Sequence, residues 1–350
     1  MNLYINQTAS IAPQNNCFET DISLISNAVN GKLIAKEPVY TGIPAGILRR
    51  MGKSVRMGVG AALQLIDKEK PMDGIIIGTA NGGMEDCMKF LEQLIQYNEG
   101  LLTPASFVQG IPNAVAGQLG LITANKGYNV THVHRGLAFE NAVLDAMMQL
   151  NDFPGNSYLL GAVDEISNYN YNIELLNGNY KKVDVTAADF YNGGADGSVA
   201  GEGGTMFVVS KQPQDAQAAI VGITTIHSTD EQLVSQILDN FLLQYLPENE
   251  TIDMLISGEN GDQRLDKFYK IPEKKSGKEI PVIRYKHLCG EYATASSFAL
   301  WLTCELLKQS TIPSHLLKSA TAPEKLQHIL LYNSYAGEQH SFMLVKNMIK

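Results

Sequence analysis

His132 and His134 stand two positions apart, so in an extended segment they face one side and have the geometry of a metal-ligand pair. No third ligand recurs at a matching spacing, so no metal is assigned to them, and polar packing accounts for the pair. The cysteines Cys17, Cys87, Cys289 and Cys304 lie far apart without C-x-x-C spacing, which gives neither a zinc site nor a disulfide framework. They read as buried, reduced thiols. Cys289, beside Gly290, is the one with the look of a nucleophile. A reactive thiol needs a helix N-terminus or a cation and a matched base, and the local sequence offers none. Arg49, Arg50, Lys53 and Arg56 cluster at the start of a helical pattern. In a chain of net charge −9 they form either a local patch for an acidic partner or a solvated helix face.

The elements that must position these residues follow from apolar spacing. Residues 3–11 are β-like, and Ile43-Pro44 is a turn signal before a helical pattern over 46–68. The run Gly74-Ile75-Ile76-Ile77-Gly78 reads as a strand buried on both faces, and Asn81-Gly82-Gly83 turns the chain into a helix over 84–97. A helix over 137–150 leads to a second buried strand at 157–163. Residues 168–204, rich in Asn, Gly and Tyr, form the seam after which the grammar repeats. Strands at 205–210, 219–225 and 252–257, helices at 230–245 and 295–308 and a final strand at 329–333 complete the chain. The expected architecture is α/β, with an N-terminal half at 1–167, a connecting segment at 168–204 and a C-terminal half at 205–350. Strands alternating with helices imply mostly parallel, mixed sheets covered on both faces.

Composition narrows the function. With 45% apolar residues the chain can bury a large core, and its net charge of −9 leaves no dominant basic face for nucleic acid. Its apolar runs stop well short of the ~20 residues that span a bilayer. The first ten residues, MNLYINQTAS, lack the charged and apolar regions of a secretory signal, so a cytoplasmic location is expected.

Several ordered segments resemble β-ketoacyl synthases of the thiolase superfamily, over most of the chain. The strand and Gly82-Gly83 turn resemble those before that family's first large helix. Ile111-Pro112-Asn113, Ala116-Gly117-Gln118 and Lys126-Gly127 resemble the stretch leading to its nucleophile and dimer interface. Gly161-Ala162-Val163-Asp164-Glu165 is similar to its G-G-x-[DE] strand end, and Gly201-Glu202-Gly203-Gly204 to its G-E-G-A turn. The resemblance implies duplicated α/β halves in a layered α-β-α-β-α fold.

It also implies a nucleophilic cysteine in T-A-C-A-S-G, where this chain reads Thr131-His132-Val133-His134-Arg135-Gly136. Val133 takes the cysteine position, and an isopropyl group forms no thioester. The family's first histidine, in A-H-G-T, falls on Gly258 when Asp266 is matched to the aspartate eight residues on. The second, in K-x-x-x-G-H, falls on Glu291, with Lys286 and the glycine retained. Three replaced reacting groups in a surviving frame resemble a chain-length factor, the non-catalytic partner of an active ketosynthase, including those of aryl-polyene or flexirubin-type pigment clusters. The implied partners are an active β-ketoacyl synthase subunit, or a second copy of the chain, and an acyl carrier protein at Arg49, Arg50, Lys53 and Arg56. No cofactor is implied. Arg135 and Glu291 either pair across the vacated centre, with His132 and His134 beside it, or one of them faces solvent. Phe107, Gln109 and Ile111 either line a tunnel shared across a dimer or simply pack, and Tyr128 and Val130 are expected in the interface. The rival readings are an acyltransferase with an unconventional centre at Cys289 and a non-enzymatic scaffold or binding homodimer.

Overall fold

Five strands of each half follow the same spatial order, and the sequence alternation explains why they are covered on two faces. The computed structural model describes residues 1–14, 18, 20–67, 70–192, 196–275, 280–309, 311–319 and 326–349, which leaves Cys17 and Lys68 outside the described residues. The first half runs β1 (Leu3–Ile11), β2 (Lys32–Leu33), α1 (Ala45–Leu48), α2 (Lys53–Leu63), β3 (Gly74–Thr79), α3 (Met84–Gln96), α4 (Pro104–Gly110), α5 (Ala114–Thr123), β4 (Tyr128–Val133), α6 (Ala138–Asp152), β5 (Ser157–Asp164), α7 (Asn168–Leu176), β6 (Ala200–Gly201) and β7 (Gly203–Ser210). The second runs β8 (Ala218–His227), α8 (Glu231–Tyr245), β9 (Met254–Ser257), α9 (Asp266–Lys275), β10 (Val282–Arg284), α10 (Lys286–Cys289), α11 (Ser296–Lys308), β11 (Leu317–Ser319), β12 (His328–Tyr335) and β13 (Gln339–Asn347).

The strand orders are β4-β3-β5-β7-β1 and β11-β10-β9-β12-β13-β8, so apart from the edge strand β11 the two halves share one topology. Leu3–Ile5 of β1 pairs with Ala218–Ile220 of β8 and joins them. The expectation of mostly parallel pairing holds only around β3 and β9, whose neighbours on both sides are parallel. β5 with β7, β12 with β13, and β1 and β8 with their neighbours are antiparallel. The reason is that the fourth strand of each half is followed by one that returns alongside it. β13, which the sequence reading omitted, is reached from β12 through a tight turn with positive φ at Ala336 and Gly337. β7 completes the first sheet, so we propose the division of the halves at residues 211–217 rather than at 205.

Period-two alternation sends neighbouring side chains of one strand into different cores. Ile76 packs inward with α6, while Ile75 and Ile77 pack outward with α2 and α5. Met254 and Ile256 face the same inner core, and Leu255 faces α8 and α9. The inner core holds both α6 and α11 between the sheets, and α11 is buried from Ser296 through Cys304. The result is the expected five-layer α-β-α-β-α arrangement. The helical pattern at 46–68 is broken before α2, where Gly52 is extended at the N-cap and a Cβ would lie 2.1 Å from the Asp86 carboxylate. No helix among the described residues is long and apolar enough to cross a membrane.

One buried polar chain ties the second half to residues near the N-terminus. His315 Nε2 lies 3.0 Å from the Ile22 carbonyl, which can only accept, so His315 Nδ1 must accept from His287 Nε2 at 2.9 Å. His287 Nδ1 then accepts from the Tyr191 hydroxyl at 3.0 Å. Burial, reinforced by His315 and Arg284, holds His287 down to about 3, and burial also lowers His315. Protonation therefore favours the unfolded chain. The His287 contribution is complete above its ordinary value near 6.5 and is lost as pH falls toward 3, with a ceiling on the order of 4 kcal/mol. Urea unfolding followed at pH 7, 5.5 and 4 should show falling stability for the native chain. His287→Gln, weaker at pH 7, should lose distinctly less over the same interval, and equal losses would contradict the linkage.

Candidate functional site

The C-terminal ends of β3, β4, β5 and β9 converge with the β12–β13 turn, and the acidic motifs noted in the sequence build the framework of this region. Asp164, at the end of β5, accepts from the Thr79 hydroxyl and the Ala80 and Asn81 amides through one oxygen and from the Thr294 hydroxyl at 2.8 Å through the other. Glu165 accepts the Ser54 and Glu85 backbone N–H groups at 3.0 and 3.2 Å, so one carboxylate caps the first turns of α2 and α3. Burial pushes it up to about 7 against those two hydrogen bonds. Glu202 accepts the Ala35 and Ile166 amides and pairs with Lys53. The two glycine- and acid-bearing motifs are thus structural ties among loops and helix ends.

The centre itself is closed by an ion pair. Lys286 Nζ, completely buried, lies 2.6 Å from Glu291 Oε1, and Glu291 Oε2 accepts from Asn260 Nδ2 at 2.8 Å. Gly290 between them has φ +76, and a Cβ there would lie 2.4 Å from Gly201 Cα, which explains why this loop requires glycine. Two small polar cavities flank the pair. One, of about 110 Å³, is lined by Arg135, Asp164, Tyr180, Tyr292 and Tyr335, and the other, of about 40 Å³, by Arg135, Tyr180, Asn260, Glu291 and Tyr335. Both fall below the roughly 300 Å³ at which organic ligands are usually enclosed.

Two of the expected positions do not line the cavities. Val133 is the last residue of β4 and 51% exposed, and it lines neither cavity. The turn into α6 is made by Arg135, which has φ +48 and lines both. Gly258 does not face them either, because a Cβ there would lie 2.4 Å from Asn333 Oδ1, and Asn260 is the residue that meets Glu291. The sequence reading did not single out Asn260, because it placed the position by the spacing to Asp266, which points to Gly258. The cavity tyrosines carry no sequence signal at all. The Arg135–Glu291 pair does not form: Glu291 already has Lys286, and the exposed Arg135 guanidinium sits over the Tyr335 ring and 4.0 Å from Glu338.

His132 and His134 are held apart by different partners, His132 by Asp145 at 2.8 Å, which also accepts from Tyr128, and His134 by Asn141. Cys289 is buried, its thiol is pushed far up by desolvation, and Sγ donates to the Gly290 carbonyl, so it is unsuited to nucleophilic attack. Of the basic cluster, Lys53 is committed to Glu202 and Arg56 to Glu37, which leaves Arg49 and Arg50 exposed. Gln109 is buried and accepts from the Gly52 amide, Phe107 packs on Phe90 while remaining half-exposed, and Ile111 is 38% exposed. Tyr128 and Val130 lie on β4, which among the described residues pairs with β3 on one side and with no strand on the other.

Residues 28–180 match the family model described as the β-ketoacyl synthase N-terminal domain. No curated relative matches the chain. Among solved structures, a β-ketoacyl synthase from Burkholderia phymatum STM815 is similar at TM-score 0.79 and 15% identity, covering 100% of both chains. The ishigamide ketosynthase/chain length factor gives TM-score 0.79 at 12% identity, with 99% of each chain covered. A structure of the ketosynthase ApeO in complex with its chain length factor ApeC from Xenorhabdus doucetiae gives 0.79 at 12%, covering 99% of this chain and 98% of that one. The chain therefore has a ketosynthase-like fold across its full described length.

Removing one partner of the central pair leaves the other charge buried, a loss of about 3–5 kcal/mol. Glu291→Gln should lower the unfolding free energy by that amount, whereas Lys286→Met combined with Glu291→Leu should lie much closer to the native chain. Urea unfolding of the three proteins checks this, and a stable Glu291→Gln protein would contradict it.

Proposed function

We propose that this chain is a ketosynthase-fold subunit without condensing chemistry of its own. It pairs through β4 with an active β-ketoacyl synthase in polyene- or polyketide-type chain synthesis in the cytoplasm, and helps set product length. The observation that carries the reading is the closed centre. No residue of the turn from Thr131 to Gly136 bears a thiol, and Asn260, Glu291 and Lys286 fill the space beside it. A carbanion generated from a malonyl group needs hydrogen-bond donors aimed at its oxygen. Here the buried cation Lys286 and the Asn260 amide are already spent on Glu291.

The edge strand supports pairing. β4 reads Tyr-Asn-Val-Thr-His-Val, rich in residues that favour strands and free of Lys, Glu and Pro. A chain meant to stay monomeric protects such an edge with charge, proline or a covering segment. The two-fold-related edge of a partner with the same fold is its natural complement, and a second copy of this chain provides that surface too. Arg49 and Arg50 are the basic residues left to meet an acidic carrier protein.

Two outcomes test the reading. Val133→Cys and Arg135→Cys, each placing a thiol in the turn, should both fail to condense acyl and malonyl groups on carrier protein, because the activating partners are still missing. Condensation by either single variant at ketosynthase-like rates would overturn the loss of chemistry. The native chain should run in light scattering as a dimer, or as a heterodimer with a coexpressed ketosynthase, burying more than about 2,000 Å². Val130→Asp should give monomer through an unpaired charge in a dry interface. A stable native monomer that takes no ketosynthase partner would refute the pairing.

A further inference from the structure

At the end of the first sheet opposite the closed centre, two larger cavities meet. The first, of about 670 Å³, is floored by Ile75 and Leu159 near the starts of β3 and β5 and walled by Leu63 and Met72. The second, of about 520 Å³, lies between α1, α4 and α5, with Val108 on its wall. Ile47, Leu121 and Ile122 border both, so the two form one trough with an aliphatic waist. Each is within the size range of sites that enclose organic ligands, and the linings have the usual make-up of such sites, mostly apolar with a few polar groups.

Those polar groups are distributed unevenly. Arg50 borders the second cavity, is exposed, and among the described residues meets no carboxylate. Gln118 borders the same chamber. Asp67 borders the first cavity and not the second. An anionic head is therefore attracted to the Arg50 end and repelled from the other, while the apolar floor takes a hydrocarbon tail. A planar guanidinium matches a carboxylate with two parallel N–H···O bonds.

We propose that this trough binds a long-chain monocarboxylate, its head at Arg50 and its tail running past Ile122 into the chamber floored by Ile75 and Leu159. The site shares no lining residue with the two cavities at Arg135, and Gln109, the tunnel candidate, borders its second chamber.

Calorimetric titration of the delipidated full chain with octanoate, decanoate and dodecanoate, kept below their micellar concentrations, tests it, with dodecanol as the uncharged control. One-to-one saturable binding is expected, tightening about tenfold for each two added methylenes. Arg50→Gln should weaken dodecanoate at least tenfold and dodecanol less than twofold. Arg49→Gln, on the neighbouring residue that borders neither cavity, should leave both unchanged. Ile122→Trp should block the waist and abolish binding of both, and Val108→Trp, on the more exposed wall, serves the same purpose should the first variant fail to fold. The proposal is overturned by absent saturation, by affinity that does not grow with chain length, by equal effects of the two arginine variants, or by full binding in a folded tryptophan variant.

Discussion

The buried Lys286–Glu291 pair is the interaction around which the centre of the molecule is arranged. An ammonium group completely removed from water must keep its carboxylate, and that carboxylate must satisfy its second oxygen, which it does through Asn260. The pair thereby fixes the α10 loop against the loop after β9. Because the Glu291 loop must come this close, Gly290 and Gly201 meet backbone to backbone with no room for side chains. Arg135 lines the same cavities from the other side, and its guanidinium turns to the Tyr335 ring and Glu338 because Glu291 already has Lys286.

Around this centre the fold is two copies of one topology pressed together on α6 and α11. The helices and strands that carry the acidic motifs do mechanical work at the same end. Glu165 ties two helix N-termini and Glu202 ties Lys53 to two loop amides. Their oxygens are occupied by backbone donors and, for Glu202, by the Lys53 ammonium as well.

Much of this was legible in the sequence where local physics decides. Continuous Ile and Leu runs gave β3, β5 and β9 within a residue or two, since strands covered on both faces leave no polar alternation to confuse them. The pairing of β7 with β1, almost two hundred residues away, left no local trace in the sequence. The absence of a thiol from 131–136 could be read directly. The residues that face the cavities could not, because a strand-to-helix turn with a left-handed residue shifts the register by an amount that spacing alone does not fix. Gly258 and Asn260 are the same lesson: only the approach of Asn333 shows which of them has room for a side chain. Tyr180, Tyr292 and Tyr335 come from three separate segments and meet only in the folded chain.

The central claim is that the closed centre forms no covalent acyl intermediate. The most direct measurement is the intact mass of the purified chain after incubation with acyl- and malonyl-loaded carrier protein, with released carbon dioxide followed in the same tube. The account predicts an unchanged protein mass and no carbon dioxide above the carrier-only control. A stoichiometric acyl adduct on the chain, or malonyl decarboxylation that scales with its concentration, would contradict it.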